Sequence, residues 1–211
     1  MKKATPIPCS PAVLLACTLL AGTAPGDTHR YRSGDGTWDA TTRNWASASG
    51  GPADSAWTST GKAVFEGAPG TVTLGSDISL KELVFTAAKS GYTITGHTLN
   101  FAPGGTITNA VPNVNHTITS AITGSPEVRI ADNGGGVYLG LTFAPNEGRV
   151  VLGKVILPYE NGTGDKGGIT FGGTTTGNTI AEVTFEGSNR YADFRKVGPG
   201  TWTVMGNTRV G

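Results

Sequence analysis

Short runs in which apolar and polar residues alternate, each closed by Gly, Pro or Asn, recur along this chain. Thr71-Val-Thr-Leu74 and Tyr92-Thr-Ile-Thr95 alternate, and Thr98-Leu-Asn-Phe101 does so in opposite phase. Val137-Tyr-Leu-Gly-Leu-Thr-Phe143 places Val137, Leu139, Leu141 and Phe143 on one face. A period of two means a strand with one face buried and the other wet. The wet face is largely threonine, whose β-branched side chain suits an exposed pleat. Gly67-Ala-Pro-Gly70, Pro103-Gly-Gly105, Asn133-Gly-Gly-Gly136, Pro145-Asn-Glu-Gly148 and Asn161-Gly-Thr-Gly164 read as the turns between strands.

Two all-β architectures accommodate this pattern: an antiparallel sandwich joined by hairpins, or a parallel β-solenoid whose strands stack rung on rung. Very short strands, rough spacing and mixed aliphatic inward residues favour stacking, because each strand is then paired above and below. No segment after Asp27 holds a 3.6-residue apolar period, so no helix is expected there. Composition agrees. Glycine supplies 33 of 211 residues, roughly double the ~7% average usage. Charged residues make up 15%, which argues against a disordered charged tail.

Before the first of these strands lies Gly36-Thr-Trp-Asp-Ala-Thr-Thr-Arg-Asn-Trp45, followed by Trp57 and then Ala63-Val-Phe-Glu-Gly67. Three tryptophans stand in a stretch otherwise built of small and polar residues. An open-ended stack must cover the apolar side of its first repeat, so Trp38, Trp45 and Trp57 are expected to cap the first rung. The other reading makes these three rings a platform for sugars, with Trp38, Trp45 and Trp57 as glycan contacts.

The N-terminus has the layout of an export signal. Lys2 and Lys3 begin it, Val13-Leu-Leu-Ala-Cys-Thr-Leu-Leu20 is its apolar core, and Ala21, Gly22, Thr23 and Ala24 are small. Cleavage after Ala24 is disfavoured by Pro25, and cleavage after Gly26 competes with it. The apolar run is short of the ~20 residues that span a bilayer. Lipid attachment at Cys17 is the other alternative, and Leu15 fits that motif poorly. Both cysteines, Cys9 and Cys17, fall inside this segment, so the mature chain would hold neither a disulfide nor a thiolate metal site. Losing Lys2 and Lys3 leaves 14 of the 16 basic residues against 15 acidic ones, a net charge of −1. Near-neutral, unclustered charge gives no support to nucleic-acid binding.

The segment Thr37-Trp38-Asp39 to Asn44-Trp45, with Trp57 and Ala63-Val64-Phe65, resembles the start of bacterial proteins with autotransporter-associated β-strand repeats. Gly70-Thr-Val-Thr-Leu74, Leu83-Val-Phe85 and Gly91-Tyr-Thr-Ile-Thr-Gly96 are similar to their first rungs. Lys196-Val-Gly-Pro-Gly-Thr-Trp-Thr-Val-Met-Gly-Asn207 is similar to the repeat itself, with Trp202 and Val204 at its apolar places. The resemblance covers nearly all of the mature chain through pattern rather than rare residues. It departs at the end, where Thr208-Arg-Val-Gly211 stands in place of the usual Tyr-Thr-Gly turn. It implies a right-handed parallel β-helix displayed outside the cell, and a chain that is the N-terminal portion, or a truncated copy, of a longer repeat protein.

Residues suited to chemistry are scattered. His29, His97 and His116 stand alone in sequence; stacking would bring His97 and His116 onto one face, though both read as exposed turn or strand residues. Polysaccharide-cleaving β-helices need clustered carboxylates with basic partners. Glu127, Asp132, Glu147, Glu160 and Asp165, with Arg129, Arg149 and Lys154, are the candidates, and they lie on different turns. Asn161-Gly-Thr-Gly-Asp-Lys-Gly-Gly168 is a single unrepeated copy of a glycine–aspartate calcium turn. Gly134-Gly-Gly136 reads as a turn, and no phosphate loop, dinucleotide fingerprint or nucleophile elbow is present.

The expectation is therefore a signal peptide over 1–26, a tryptophan-rich cap segment over 27–63 and β-solenoid rungs over 64–211. The expected function is that of a non-enzymatic exported module, structural or adhesive, with no catalytic, cofactor or metal residues. Surface polysaccharide and other cell-surface components are the expected partners, with self-association through the C-terminal end of the solenoid. A β-helix lyase or hydrolase is the rival from another class.

Overall fold

In the computed structural model the described residues are 27–58, 60–86, 90–111, 114–130, 140–159, 168–187, 193–206 and 209–210. They are all-β, without a helix, and stack as a parallel β-solenoid of about five turns. The fold opens with β1 (Thr28–Tyr31), β2 (Gly36–Trp38), β3 (Trp45–Ala46) and β4 (Lys62–Phe65). Then come β5 (Thr71–Leu74), β6 (Ile78–Phe85), β7 (Thr93–Gly96) and β8 (Thr98–Asn109). The middle supplies β9 (His116–Ile118), β10 (Ala121–Thr123), β11 (Glu127–Ile130), β12 (Leu141–Phe143) and β13 (Val151–Tyr159). It closes with β14 (Gly168–Phe171), β15 (Asn178–Gly187), β16 (Asp193–Lys196), β17 (Trp202–Val204) and β18 (Arg209–Val210).

Two sheets result. The first runs β17-β15-β13-β11-β8-β6-β4-β1-β3, with β10 also on β8 and β18 on β15; the second runs β16-β14-β12-β9-β7-β5-β2. Strands adjacent in a sheet are distant in sequence: Thr71 faces Thr93, and Thr93 faces Thr117, steps of 22 and then 24 residues. Hairpins would have made those steps far shorter. The tryptophan-bearing segment already belongs to the stack, since β1 pairs parallel with β4 and β2 with β5. Against β1, β3 lies antiparallel at the edge of the first sheet.

Three strand segments make a turn, and the reason is a bend in the first sheet. The Pro103-Gly-Gly105 turn expected from sequence lies inside β8, a strand of 12 residues, longer than the short strands expected. Leu80 pairs with Phe101 while Glu82 pairs with Thr106, so β8 bulges outward between them. Gly104 takes up the bulge at φ 67°. One turn later the same bend interrupts the chain between β10 and β11, where Gly124 has φ 83° and Ser125 φ 52°. A Cβ on Gly124 would run into the carbonyl oxygen of Phe101 on the turn below.

One core runs the length of the stack, from Tyr31 and Trp38 to Ile180 and Val183. Alternation places it there: β5 buries Val72 and Leu74 and exposes Thr71 and Thr73. Of the Val137–Phe143 alternation, Leu141 and Phe143 are buried, and Val137 and Leu139 lie outside the described residues. Each such side chain contributes about 1.5–3 kcal/mol by leaving water. Two buried amides tie turns together. Asn109 Nδ2 donates to Val114 O and Gly140 O, and its Oδ1 accepts from Val111 N. Asn178 Nδ2 donates to Thr175 O and Thr201 O while Oδ1 accepts from Val150 N. Each amide spans neighbouring turns and adds hydrogen bonds to backbone groups at the corner, of which Gly140 O and Thr175 O also accept from His116 N and Thr201 N.

Candidate functional site

The tryptophan segment is held by short polar links. Thr42 N and Thr41 N donate to Asp39 Oδ1 at 2.6 and 2.7 Å, and these two bonds hold its carboxyl below the usual range. Asn44 donates from Nδ2 to Thr37 O and accepts from Ser33 at Oδ1, which sets the chain entering Trp45. Gly36 is needed here, because a Cβ would sit 2.6 Å from the Tyr31 hydroxyl and 2.8 Å from Asn44 Nδ2. Glu66 accepts from Arg30 at 2.7 Å and Arg32 at 3.0 Å. Burial raises its pKa, and the bonds from Arg30, Gly50 and Ser49 with the Arg30 charge bring it below the ordinary value.

Inside those links Trp38, Trp45 and Trp57 are 0%, 0% and 5% exposed. Their rings meet pairwise at 4.9–5.1 Å, and Trp38 and Trp45 both reach Phe65. A sugar platform needs an open ring face, and none of the three offers one in this fold. The indole N–H groups of Trp38 and Trp45 have no hydrogen-bond partner, so ring packing outweighs the cost of two unpaired donors. Beside Trp57 opens a hollow of about 570 Å³ whose polar lining is Thr58, Thr60, Ser76, Ser79 and Asp77. Its carboxylate is already engaged, with Thr98 N at 3.0 Å and His97 Nδ1 at 3.8 Å.

The histidines do not converge. His97 is exposed, as expected. His116 is a correction: it is fully buried, stacked on Phe85, and accepts from Tyr92 N at Nδ1. Burial pushes its pKa down to about 4. His29 is also buried, tilted against Trp57, with its pKa lowered by burial against the raising effect of Asp27. Burial, with the Asp35 charge, pushes Tyr31 up to about 12, and burial raises Tyr92 as well.

Among the candidate carboxylates, Glu127 pairs with Arg129 at 2.6 Å on the outer face of the first sheet, and Arg129 reaches Glu186 at 3.6 Å. Glu147 and Arg149 are exposed between β12 and β13, and Lys154 stands opposite Glu182. Asp132, Glu160 and Asp165, residues 161–167 of the expected 161–168 calcium-like turn, Gly134–Gly136 and the expected export segment with Cys9 and Cys17 lie outside the described residues. Among the described residues no three His, Cys, Asp or Glu side chains gather closely enough to hold a metal ion. Nor is any described helix long and apolar enough to cross a membrane.

The two sheets present different outer surfaces. On the first, Lys62 bridges to Glu82 at 2.9 Å, and Glu127, Arg129, Lys154 and Glu182 continue a charged face. On the second, Thr71, Thr93, Thr117, Thr142 and Thr170 face one another in a single column across five strands. A second column holds Thr37, Thr73 and Thr95, and Thr119 continues it through its N–H bond to Ile94 O. The alternation predicted outward threonines; that they fall into register was visible only as the recurring Thr-x-Thr at 71, 93 and 117. Compared with family models, curated proteins and solved structures, the chain matches none.

Proposed function

We propose that this chain is the β-solenoid of an exported surface or secreted protein, a structural and adhesive module rather than an enzyme. The observation that carries the reading is the stack of parallel turns among the described residues, whose second sheet repeats threonine at one outward position from turn to turn. A scaffold of this kind works by presenting a repeated surface, not by enclosing a reactive centre. The export signal over 1–26 supports it, as does the similarity of 196–207 to autotransporter-associated β-strand repeats, with the right-handed winding that similarity implies. Within this reading Trp38, Trp45 and Trp57 cap the first rung, supported by their burial and by the antiparallel β3 at that edge. The opposite end, with Phe194, Val197, Val204 and Met205 exposed, is where two copies associate.

Fractionation of producing cells, with mass spectrometry of the recovered protein, tests the reading. The expected product is outside the inner membrane and starts between Pro25 and Asp27. An intact Met1 in the cytoplasm, or lipid on Cys17, would overturn it. Release of unsaturated or reducing sugar from pectin or alginate by the folded protein would instead favour the β-helix enzyme.

A further inference from the structure

We propose that the threonine face of the second sheet is an ice-binding surface. It goes beyond the reading above and uses only the solenoid as a rigid scaffold, without depending on export. Nine threonines, at 37, 71, 73, 93, 95, 117, 119, 142 and 170, form its two columns. Within a column, threonines on neighbouring strands are about 4.8 Å apart, and the two columns, two residues apart along each strand, are about 6.6 Å apart. The pairings of this sheet show no register shift among the described residues, whereas the first sheet bulges between Leu80 and Glu82. A straight register keeps the array a two-dimensional lattice.

The side chains are also preorganised. A β-branched residue on a strand has restricted χ1, and neighbours above and below restrict it further. Two hydroxyls are pinned by donating to a neighbouring turn, Thr119 Oγ1 to Ile94 O at 3.3 Å and Thr142 Oγ1 to Asn115 Oδ1 at 3.2 Å. Each keeps its acceptor lone pairs. Thr71 and Thr73 are exposed and the others half-buried in the array, as a flat face requires.

Partner chemistry follows from what the nine positions hold. They carry no charge, unlike the Lys62, Glu82, Glu127 and Arg129 face of the first sheet. A polyelectrolyte or acidic peptide would select charge of the opposite sign. A glycan would select stacked rings, and a protein partner would select aromatic or arginine anchors. What remains is a periodic array of methyl groups and hydroxyls, at two repeats close to those of the prism face of ice. An ice surface is uncharged, rigid and periodic. Single hydroxyl contacts with water add little, because each replaces a hydrogen bond to bulk water. A matched lattice makes every contact after the first intramolecular, so the sum is large only when spacing fits. The column ends where Thr170 gives way to Arg195, which bounds the face.

The test is thermal hysteresis and ice-recrystallisation inhibition by the folded full chain, with partition into a growing ice front as the direct binding readout. Wild type is expected to shape ice crystals and enter the ice. Thr93→Lys/Thr117→Lys places two charges at the centre of the face and is expected to need about tenfold more protein, or to fail. Thr106→Lys on the first sheet, between Glu82 and Glu127, is expected to match wild type. Should the lysine pair fail to melt cooperatively, Thr93→Tyr/Thr117→Tyr breaks the lattice with good strand formers and is expected to show the same loss. Folded wild type without ice activity would overturn the proposal. So would equal loss from Thr106→Lys, full activity in the folded tyrosine variant, or retention by crystalline cellulose or chitin but not by ice.

Discussion

The imidazole of His116 lies flat on the ring of Phe85, centroids 4.1 Å apart and planes 14° from parallel, in the interior of the solenoid. Nδ1 accepts from Tyr92 N, which places the remaining proton on Nε2, and Nε2 has no partner. The group is neutral in the fold and would be charged only at the cost of a buried, uncompensated cation.

Stability should therefore fall as pH drops through this histidine's window. Its folded pKa is depressed to about 4 from the ordinary 6.5. Between those values the unfolded chain holds a proton that the folded chain does not, so acid favours unfolding. The contribution is full above pH 6.5, is lost toward pH 4, and amounts to about 3 kcal/mol. Urea midpoints at pH 7.5 and 4.5 should differ accordingly, and His116→Phe should flatten the slope. Glu66, held below its ordinary 4.5, loses its contribution only at lower pH. An unchanged midpoint in wild type would place His116 in contact with water.

Gly124→Ala should destabilise by about 3 kcal/mol or more. The residue sits at φ 83°, and a Cβ there strikes the Phe101 carbonyl, a backbone atom that cannot step aside. Gly177→Ala, at φ 72° with open space around it, should cost about 1 kcal/mol. Equal melting temperatures for the two variants would contradict the close approach of turns.

Trp38→Ala should cost about 3–5 kcal/mol through the cavity it leaves among Trp45, Trp57 and Phe65. Folded wild type should show blue-shifted tryptophan emission that resists iodide quenching. Glycan-array binding that disappears in a folded Trp38→Ala protein would instead support the sugar platform.

Asn109→Leu should cost about 2 kcal/mol or more. Val114 O and Val111 N lose their Asn109 partner in a site closed to water, and Gly140 O keeps only the bond from His116 N. Asn109→Asp, which keeps the acceptor and loses both donors, should not restore stability at pH 7. Hydrogen exchange would locate the damage, with protection lost first on the turns that Asn109 joins.

Association should depend on the C-terminal end. Met205 is 65% exposed, and Phe194, Val197 and Val204 stand open beside it. Light scattering of residues 27–211 should show concentration-dependent growth that Val204→Lys/Met205→Lys suppresses. A strictly monomeric wild type at high concentration would remove this end as a contact surface.

The legible part of the candidate surface was its composition. Thr71-Val-Thr-Leu74 and Tyr92-Thr-Ile-Thr95 show outward threonines because strand alternation is a property of a few consecutive residues. Beyond the recurring Thr-x-Thr, their alignment into columns was not legible. It depends on steps of 22, 24, 25 and 28 residues from Thr71 to Thr93, Thr117, Thr142 and Thr170, and unequal loops hide a common register. His116 reads as exposed in the sequence for a related reason. Its neighbours Asn115 and Thr117 are polar, while the Phe85 ring that covers it comes from another turn.

By itself the sequence determined an all-β chain and the strand alternation, and favoured parallel stacking over a hairpin sandwich. Local sterics and hydrophobic period are enough for that. Tertiary structure decided that Pro103-Gly-Gly105 bulges within β8 instead of ending a strand, and that charges line up on one sheet while threonines line up from Thr71 to Thr170 on the other. It also decided that three tryptophans vanish into the core. Each of these depends on which residue of the next turn lies opposite. That choice is made by packing between segments far apart in the chain, where the competing registers differ by interactions no local pattern contains.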